Sequence, residues 1–144
     1  MKENVLLLDN QLCFSIYACS REMIKLYHPL LKELDITYPQ YLVLLVLWEK
    51  ETLSVKQLGK ELYLDSGTLT PLLKRLEERG IVSRKRSMDD ERIVHVQVTE
   101  KGLALKDKAS EIPLNIFEGA GLPIEEYKDL NKKIRSLLGK LHQK

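Results

Sequence analysis

The 144-residue sequence predicts a mainly α-helical protein with a small β-hairpin. Apolar residues recur at helical spacing along most of the chain, and capping residues stand where helices should begin. Residues 81–98 differ, because β-like runs there flank the turn-like segment SMDDE. A composition of 44% hydrophobic and 31% charged residues is ordinary for a globular protein, and the length favours one domain over residues 1–144.

The first helix is predicted from residue 9 to about residue 33, with Asp9 as its N-cap and Pro29 as a kink. Along it runs an apolar seam with a 3.5-residue period, which is typical of a helix packed along another helix. The seam comprises Leu12, Ile16, Cys19, Met23, Leu26 and Leu30. We expect Cys19 to be a buried, inert thiol on this seam.

Two capping boxes predict the next two helices. TYPQ, at residues 37–40, precedes a helix that is apolar almost all round and should therefore be buried. SVKQ, at residues 54–57, precedes a short helix that ends at about Tyr63. In each box the first residue caps the helix and the glutamine reaches back to it.

A third helix follows the short one almost at once. Its N-cap is predicted at Asp65 or Ser66 and its end at Gly80. Pro71 removes an amide donor and is best tolerated in a first turn, so the start is set only to within a few residues. A short helix, a turn, an amphipathic helix and a basic hairpin predict a winged helix-turn-helix over residues 37–98.

Two more helices complete the chain. One is predicted from Thr99 to about Glu118, with a kink at Pro113, and the last over residues 124–142. Their apolar faces, like the seam of the first helix, exceed what so small a domain can cover, which predicts a homodimer. The predicted helical dimerisation region covers residues 9–35 and 99–144.

The winged helix-turn-helix predicts a double-stranded DNA partner. The net charge is only +2, so DNA affinity must come from clustered basic residues. Small hydroxyls in the first turn of the second helix suit base edges, Arg92 suits the minor groove, and Asp90 should orient its guanidinium. The candidates are Ser66, Gly67, Thr68, Thr70, Lys74, Arg75, Arg84, Lys85, Arg86, Asp90 and Arg92. The alternative is that these charges form an ordinary solvated surface.

The two cysteines, Cys13 and Cys19, raise the question of a disulfide or a metal site. Six residues on a helix separate them by about 9 Å of rise, which is too far for a disulfide. The chain has no CxxC motif and its three histidines are scattered, so neither a metal nor a cofactor is predicted. No apolar run is long enough to span a membrane, and we expect a cytoplasmic protein with reduced thiols.

The segments NQLCFSIYACSREM, LDSGTLTP, LTPLLKRLEERG and DDERIV closely resemble the MarR family of dimeric bacterial regulators, and within it the OhrR-type repressors that sense organic hydroperoxides. The resemblance implies that Cys13 is the sensor, that Tyr27 and Tyr38 donate hydrogen bonds to it, and that Tyr17 lies nearby. Tyr27 is fourteen residues from Cys13, about 21 Å along a straight helix, so it can reach only the partner's thiol.

The predicted function is that of a repressor rather than an enzyme. A reduced homodimer binds a pseudo-palindromic operator, and an organic hydroperoxide releases it by oxidising Cys13. The region after the wing lacks the second cysteine of some OhrR-type proteins, so a small cellular thiol should cap the sulfenate, or it oxidises further. Alternatives are a broader MarR-family regulator of virulence or antibiotic resistance, a regulator released by a phenolic ligand, and a thiol peroxidase, which QLCFSIY disfavours because it offers neither an arginine nor a base.

Overall fold

The computed structural model describes residues 4–143 and confirms a mainly helical protein with a small sheet. A short 3-10 turn, Leu8–Asn10, precedes the first helix. The helices are α1 Leu12–Leu34, α2 Tyr38–Lys50, α3 Val55–Leu62, α4 Ser66–Glu78, α5 Glu100–Ala109, α6 Ile112–Ala120 and α7 Ile124–His142. The strands are β1 Thr52–Ser54, β2 Val82–Arg86 and β3 Val94–Val98. Among the described residues, no helix has the length and apolarity needed to cross a membrane.

The chain divides into two compact units. One unit, Tyr27–Ser110, contains the helix-turn-helix and the wing. The other unit combines Met1–Leu26 with Glu111–Lys144 and is helical throughout its regular structure. The DNA-binding and dimerisation roles of the regions predicted from the sequence stay a prediction.

The core of the Tyr27–Ser110 unit is built on α2 and the helix-turn-helix. Both predicted capping boxes are present, at Thr37 and Ser54, and α2 is buried along most of its length. Gly59 lets α3 approach the turn, because a Cβ at this position would lie 2.5 Å from the Leu64 carbonyl oxygen. The fully buried side chains include Leu44, Leu47, Leu58, Leu69, Leu73, Leu76, Ile81 and Val96.

The wing is part of a three-stranded antiparallel sheet with the order β1-β3-β2. The predicted hairpin is β2 and β3, in register from Val82 with Val98 to Arg86 with Val94. β1 was not predicted, because its three residues are too few to show an alternating pattern. β1 follows α2 and ties the helix-turn-helix to the wing through β3.

The start of α1 differs from the prediction. Asp9 is not its N-cap but lies in the 3-10 turn, and α1 begins only at Leu12. The amide of Gln11 bonds to the Leu8 carbonyl at 3.0 Å, and its side chain donates to the Leu7 carbonyl at 2.8 Å. These short-range bonds tighten the chain before the α-helix begins.

Of the prolines that lie within helices, Pro113 requires a correction. The predicted N-cap of α4 is confirmed at Asp65, and α4 begins five residues before Pro71, which lies inside the helix. Pro113 does not kink one long helix, because the chain breaks after α5 and α6 starts with this proline in its first turn. Proline has no amide to donate, which suits the first turn of a new helix. Pro29 lies within α1, which continues to Leu34.

Candidate thiol sensor and nucleic-acid interface

The first turns of α4 present a polar surface. Ser66, Gly67, Thr68 and Thr70 are all exposed. The Asp65 carboxylate accepts a hydrogen bond from the Thr68 amide at 2.7 Å, and bonds from Thr68 lower the pKa of Asp65. The Thr70 hydroxyl donates to the Ser66 carbonyl at 2.7 Å, so its oxygen still offers acceptor capacity. The N-terminal end of α4 is therefore firmly capped and open to a ligand.

The rest of α4 separates a buried face from a basic one. Leu69, Leu73 and Leu76 are fully buried, and the intervening Lys74 and Arg75 are exposed. This division follows the helical period and places the two cations on the solvent side.

At the tip of the wing, Asp90 and Arg92 form a close pair. The Nε of Arg92 donates to Asp90 Oδ1 at 3.1 Å, and its Nη2 donates to Oδ2 at 3.0 Å. The Arg92 backbone amide also donates to Oδ1, at 3.0 Å. The Arg92 side chain is 90% exposed. Bonds from Arg92 lower the pKa of Asp90, and the carboxylate fixes a guanidinium that otherwise faces only solvent.

The basic residues of β2 differ in their surroundings. Arg84 is half-buried, and its guanidinium and backbone amide all donate to Glu77 on α4, with Nη2 at 3.0 Å from Oε1. Bonds from Arg84 lower the pKa of Glu77. Lys85 and Arg86 are exposed, and Arg86 donates to the Glu91 carbonyl at 2.8 Å. Lys85 and Arg86 therefore offer more charge to a ligand than Arg84 does.

The structure brings together the two tyrosines assigned to the sensor by resemblance. The ring centroids of Tyr27, on α1, and Tyr38, at the start of α2, lie 4.8 Å apart. Tyr41, which the sequence analysis missed, contacts both rings, with centroids 5.7 Å from Tyr27 and 6.3 Å from Tyr38. Its spacing of three residues from Tyr38 on a helix is the signal that points to it. Tyr41 is only 3% exposed, and its burial, followed by the proximity of Tyr38, raises its pKa.

Cys13 and Tyr17 lie one turn apart on α1, in the helical unit. Both are exposed, and both cysteines of the chain are free thiols. The guanidinium of Arg21, which the sequence analysis did not single out, lies 4.5 Å from the centre of the Tyr17 ring. Its spacing of four residues from Tyr17 predicts this cation–π contact.

Cys19 is exposed, which corrects the expectation of a buried thiol. It borders a largely apolar cavity of about 650 Å³ within the helical unit. Met23, Leu26, Leu130 and Ile134 are among its other lining residues. The seam on α1 is therefore not fully covered within one chain, and its predicted packing on a second copy stays a prediction.

Comparisons with known proteins agree on one class of protein, the transcriptional regulators. The family described as transcriptional regulator SarA/Rot matches residues 25–109. The organic hydroperoxide resistance transcriptional regulator of Bacillus subtilis is 57% identical over 137 residues, which are 95% of this chain and 93% of that protein.

Solved structures of regulators have the same fold. Reduced AbfR bound to DNA is 40% identical, with a TM-score of 0.81 over 98% of this chain and 99% of that chain. AbfR comes from Staphylococcus epidermidis, and a disulfide form of it is also similar, with a TM-score of 0.66, 38% identity, and 100% and 98% coverage. A mutant MarR from E. coli complexed with operator DNA is 27% identical, with a TM-score of 0.77 over 85% and 90% of the two chains.

Proposed function

Because the chain belongs to the MarR-type winged-helix transcriptional regulators, among them the SarA/Rot family, we propose that it is a peroxide-sensing repressor that acts through one thiol. The observation that carries this proposal is the ring contact of Tyr27 with Tyr38, 4.8 Å between centroids. It supplies two neighbouring phenols where the resemblance requires them. The relatives named above are transcriptional regulators, and we propose a regulatory rather than an enzymatic role for this chain, in the cytoplasm.

DNA is the proposed partner of the Tyr27–Ser110 unit. The exposed hydroxyls of Ser66, Thr68 and Thr70 suit base edges in the major groove, and Gly67 permits close approach of the backbone. Basic side chains suit phosphates, and Arg92 suits the narrow minor groove. The proposed phosphate contacts are Lys74, Arg75, Arg84, Lys85 and Arg86. Because Glu77 already balances the charge of Arg84, we expect Arg84 to contribute least among these five.

A second copy of the chain is the proposed cover for the apolar surface of the helical unit. Large apolar side chains stand exposed on α1, α6 and α7 of a single chain. Among them are Leu12, Phe14, Leu114, Ile124, Leu130, Ile134, Leu138 and Leu141. An apolar surface of this extent on a soluble domain marks an interface. A two-fold dimer would present two copies of α4 to half-sites about 34–36 Å apart.

In the proposed dimer, Cys13 of one subunit accepts hydrogen bonds from Tyr27 and Tyr38 of the other. Phenolic donors stabilise the thiolate, which is the nucleophile. The thiolate attacks the outer oxygen of an organic hydroperoxide, the O–O bond breaks, and the alkoxide leaves as an alcohol after taking a proton. Sulfur is oxidised to the sulfenic acid while the peroxide is reduced. A small cellular thiol then attacks the sulfenic sulfur and expels water, which leaves a mixed disulfide.

The adduct is bulky and uncharged at sulfur, so the phenols lose the thiolate as their acceptor. Tyr27 lies near the end of α1 and Tyr38 at the start of α2, so we expect both helices to shift. A dimer whose copies of α4 no longer match successive grooves binds DNA less well. The peroxide thus acts by favouring a state that cannot span the operator.

The test uses Cys13→Ser on DNA from upstream of the chain's own gene or a neighbouring gene. We expect the variant to bind this DNA like the parent and to stay bound under cumene hydroperoxide, whereas the parent dissociates. Cys19→Ser is the matched control and should dissociate like the parent. Dissociation of Cys13→Ser at the parent's peroxide concentration would refute the proposed sensor.

A further inference from the structure

The C-terminal end of α1 is a tight left-handed cap. Asp35 has a φ of 56°, in the left-handed region that usually selects glycine. Its amide bonds to the Lys32 carbonyl at 3.0 Å, and the amide of Ile36 bonds to the Leu31 carbonyl at 3.2 Å. These two bonds form a Schellman motif, which fixes the direction in which the chain leaves α1.

The end of α4 has the same motif. Gly80 has a φ of 73°, its amide bonds to the Glu77 carbonyl at 2.9 Å, and the amide of Ile81 bonds to the Leu76 carbonyl at 3.0 Å. Ile81 is completely buried. The C-terminal end of α4, the predicted recognition helix, is therefore as well defined as the end of α1.

Arg79, the last residue before the Gly80 turn, joins these two helix ends. Its Nη1 donates to the Asp35 backbone carbonyl, and its Nη2 lies 3.5 Å from Asp35 Oδ2. The Asp35 side chain is 92% exposed, so the ion pair is weak and the bond to the carbonyl is the stronger link. The Arg79 side chain is 32% exposed, and one N–H of its guanidinium is already bonded within the protein, to the Asp35 carbonyl.

The backbone of Arg79 is held as well. The Nζ of Lys101, on α5, donates to the Arg79 carbonyl at 2.7 Å. The hydroxyl of Thr99, the N-cap of α5, donates to the next carbonyl, that of Gly80, at 2.6 Å. The end of α4 is thus fixed on one side to the start of α5 and on the other, through one guanidinium, to the end of α1.

We propose that Arg79 is a positioning residue that transmits a displacement of α1 to the recognition helix α4. This inference rests on the proposed function, because oxidation of Cys13 is the event that displaces α1. Tyr27 lies eight residues before Asp35 on α1, about two helical turns. A shift of this helical segment moves the Asp35 carbonyl and, through Arg79, the C-terminal end of α4. Although Arg79 belongs to a basic segment, its role is to couple the two helices and not to bind DNA.

The experiment measures the ratio of the DNA dissociation constants of oxidised and reduced protein. In Arg79→Gln we expect this ratio to fall by on the order of 2- to 30-fold relative to the parent, while Cys13 is oxidised at the parental rate. Lys106→Gln, which removes a positive charge from an exposed position on α5, is the matched control and should leave the ratio unchanged. Hydrogen exchange in reduced protein should also be faster around residues 31–36 in Arg79→Gln than in the control.

Three outcomes decide between the explanations. A phosphate contact predicts that Arg79→Gln weakens both states equally and lowers the salt dependence by about one unit, and this result overturns the proposal. If Arg79→Gln does not fold, Arg79→Lys carries the test, because it keeps the positive charge but lacks the guanidinium whose Nη1 bonds to the Asp35 carbonyl. A parent that keeps its DNA after oxidation refutes the proposed function together with the coupling. If oxidation releases the parent and Arg79→Gln from DNA to the same extent, the coupling through Arg79 is refuted but the proposed function is not.

Discussion

The rings of Tyr27 and Tyr38 pack against each other with centroids 4.8 Å apart and planes tilted by 59°. They come from two helices and are eleven residues apart in the sequence. The buried ring of Tyr41 contacts both of them and also the ring of Trp48. The indole N–H of Trp48 in turn donates to the Gly102 carbonyl at 2.9 Å. Because the two rings are in contact, we expect a displacement of one phenol to move the other.

We therefore expect both hydroxyls to matter for the chemistry of Cys13 more than for folding. Tyr27→Phe and Tyr38→Phe keep the ring contact but remove a donor to the thiolate. A hydrogen bond to a charged group is worth about 1.5 kcal/mol, so each change should slow oxidation of Cys13 roughly tenfold. Stopped-flow oxidation by cumene hydroperoxide measures the rate.

Tyr63→Phe is the matched control, since this tyrosine lies at the end of α3, outside the cluster. It should oxidise at the parental rate. Equal rates in all four proteins would separate the tyrosine pair from the sensor and remove the main support for the proposed function.

The parts of the fold that were predictable from the sequence depend on local signals. The capping boxes at Thr37 and Ser54 need only four residues each, and both are present as predicted. The glycine stop at Gly80 is equally local. The pairing of Tyr27 with Tyr38 was reached only through resemblance, because helical periodicity does not extend across the turn between α1 and α2.

What was missed depends on contacts between distant residues. β1 exists because Thr52, Leu53 and Ser54 pair with β3, more than forty residues later. The bond of Arg79 to the Asp35 carbonyl, forty-four residues away, gives no periodic signal. The exposure of Cys19 has a different cause, because its periodicity reports a partner surface that a single chain does not contain.

Because Asp90 pairs with Arg92 and Asp89 does not, we expect substitutions of these two neighbouring aspartates to affect operator binding differently. Asp90→Asn removes a negative charge from the DNA-facing wing, which by charge alone should strengthen binding. We expect it to weaken operator binding about two- to fivefold, because Arg92 loses its oriented partner. Asp89→Asn removes the same charge from an exposed residue next to it and should leave binding unchanged or slightly stronger. Fluorescence anisotropy with labelled operator distinguishes the two.

The effect of pH on this pair follows from the lowered pKa of Asp90. The pair is fully formed above the ordinary aspartate pKa of about 3.9 and is lost only as the pH falls through the lower value of the folded protein. The ratio of affinities between the parent and Asp90→Asn should therefore be the same at about pH 6 and about pH 8. A ratio that changes across this interval would show that another group orients Arg92.

Gly59 and Gly67, the two glycines of the helix-turn-helix, are expected to have different roles, one in folding and the other in DNA binding. A Cβ at Gly59 would lie 2.5 Å from the Leu64 carbonyl oxygen, whereas a Cβ at Gly67 would meet only Asp65 Oδ1, at 3.5 Å. Gly59→Ala should therefore lower the free energy of unfolding by about 1–3 kcal/mol, despite the better helix propensity of alanine. Gly67→Ala should leave this free energy unchanged or raise it by up to about 1 kcal/mol. Urea unfolding followed by circular dichroism provides both values.

For DNA binding we expect the order of the two variants to reverse. Gly67→Ala places a methyl group in the first turn of α4, where the backbone is proposed to approach the major groove, so it should weaken operator binding in a fully folded protein. Gly59→Ala should bind normally at temperatures where it remains folded, because its methyl group faces the turn before α4 and not the DNA. If Gly67→Ala binds the operator as tightly as the parent, the N-terminal end of α4 does not lie against the DNA, and the proposed docking of this helix is wrong.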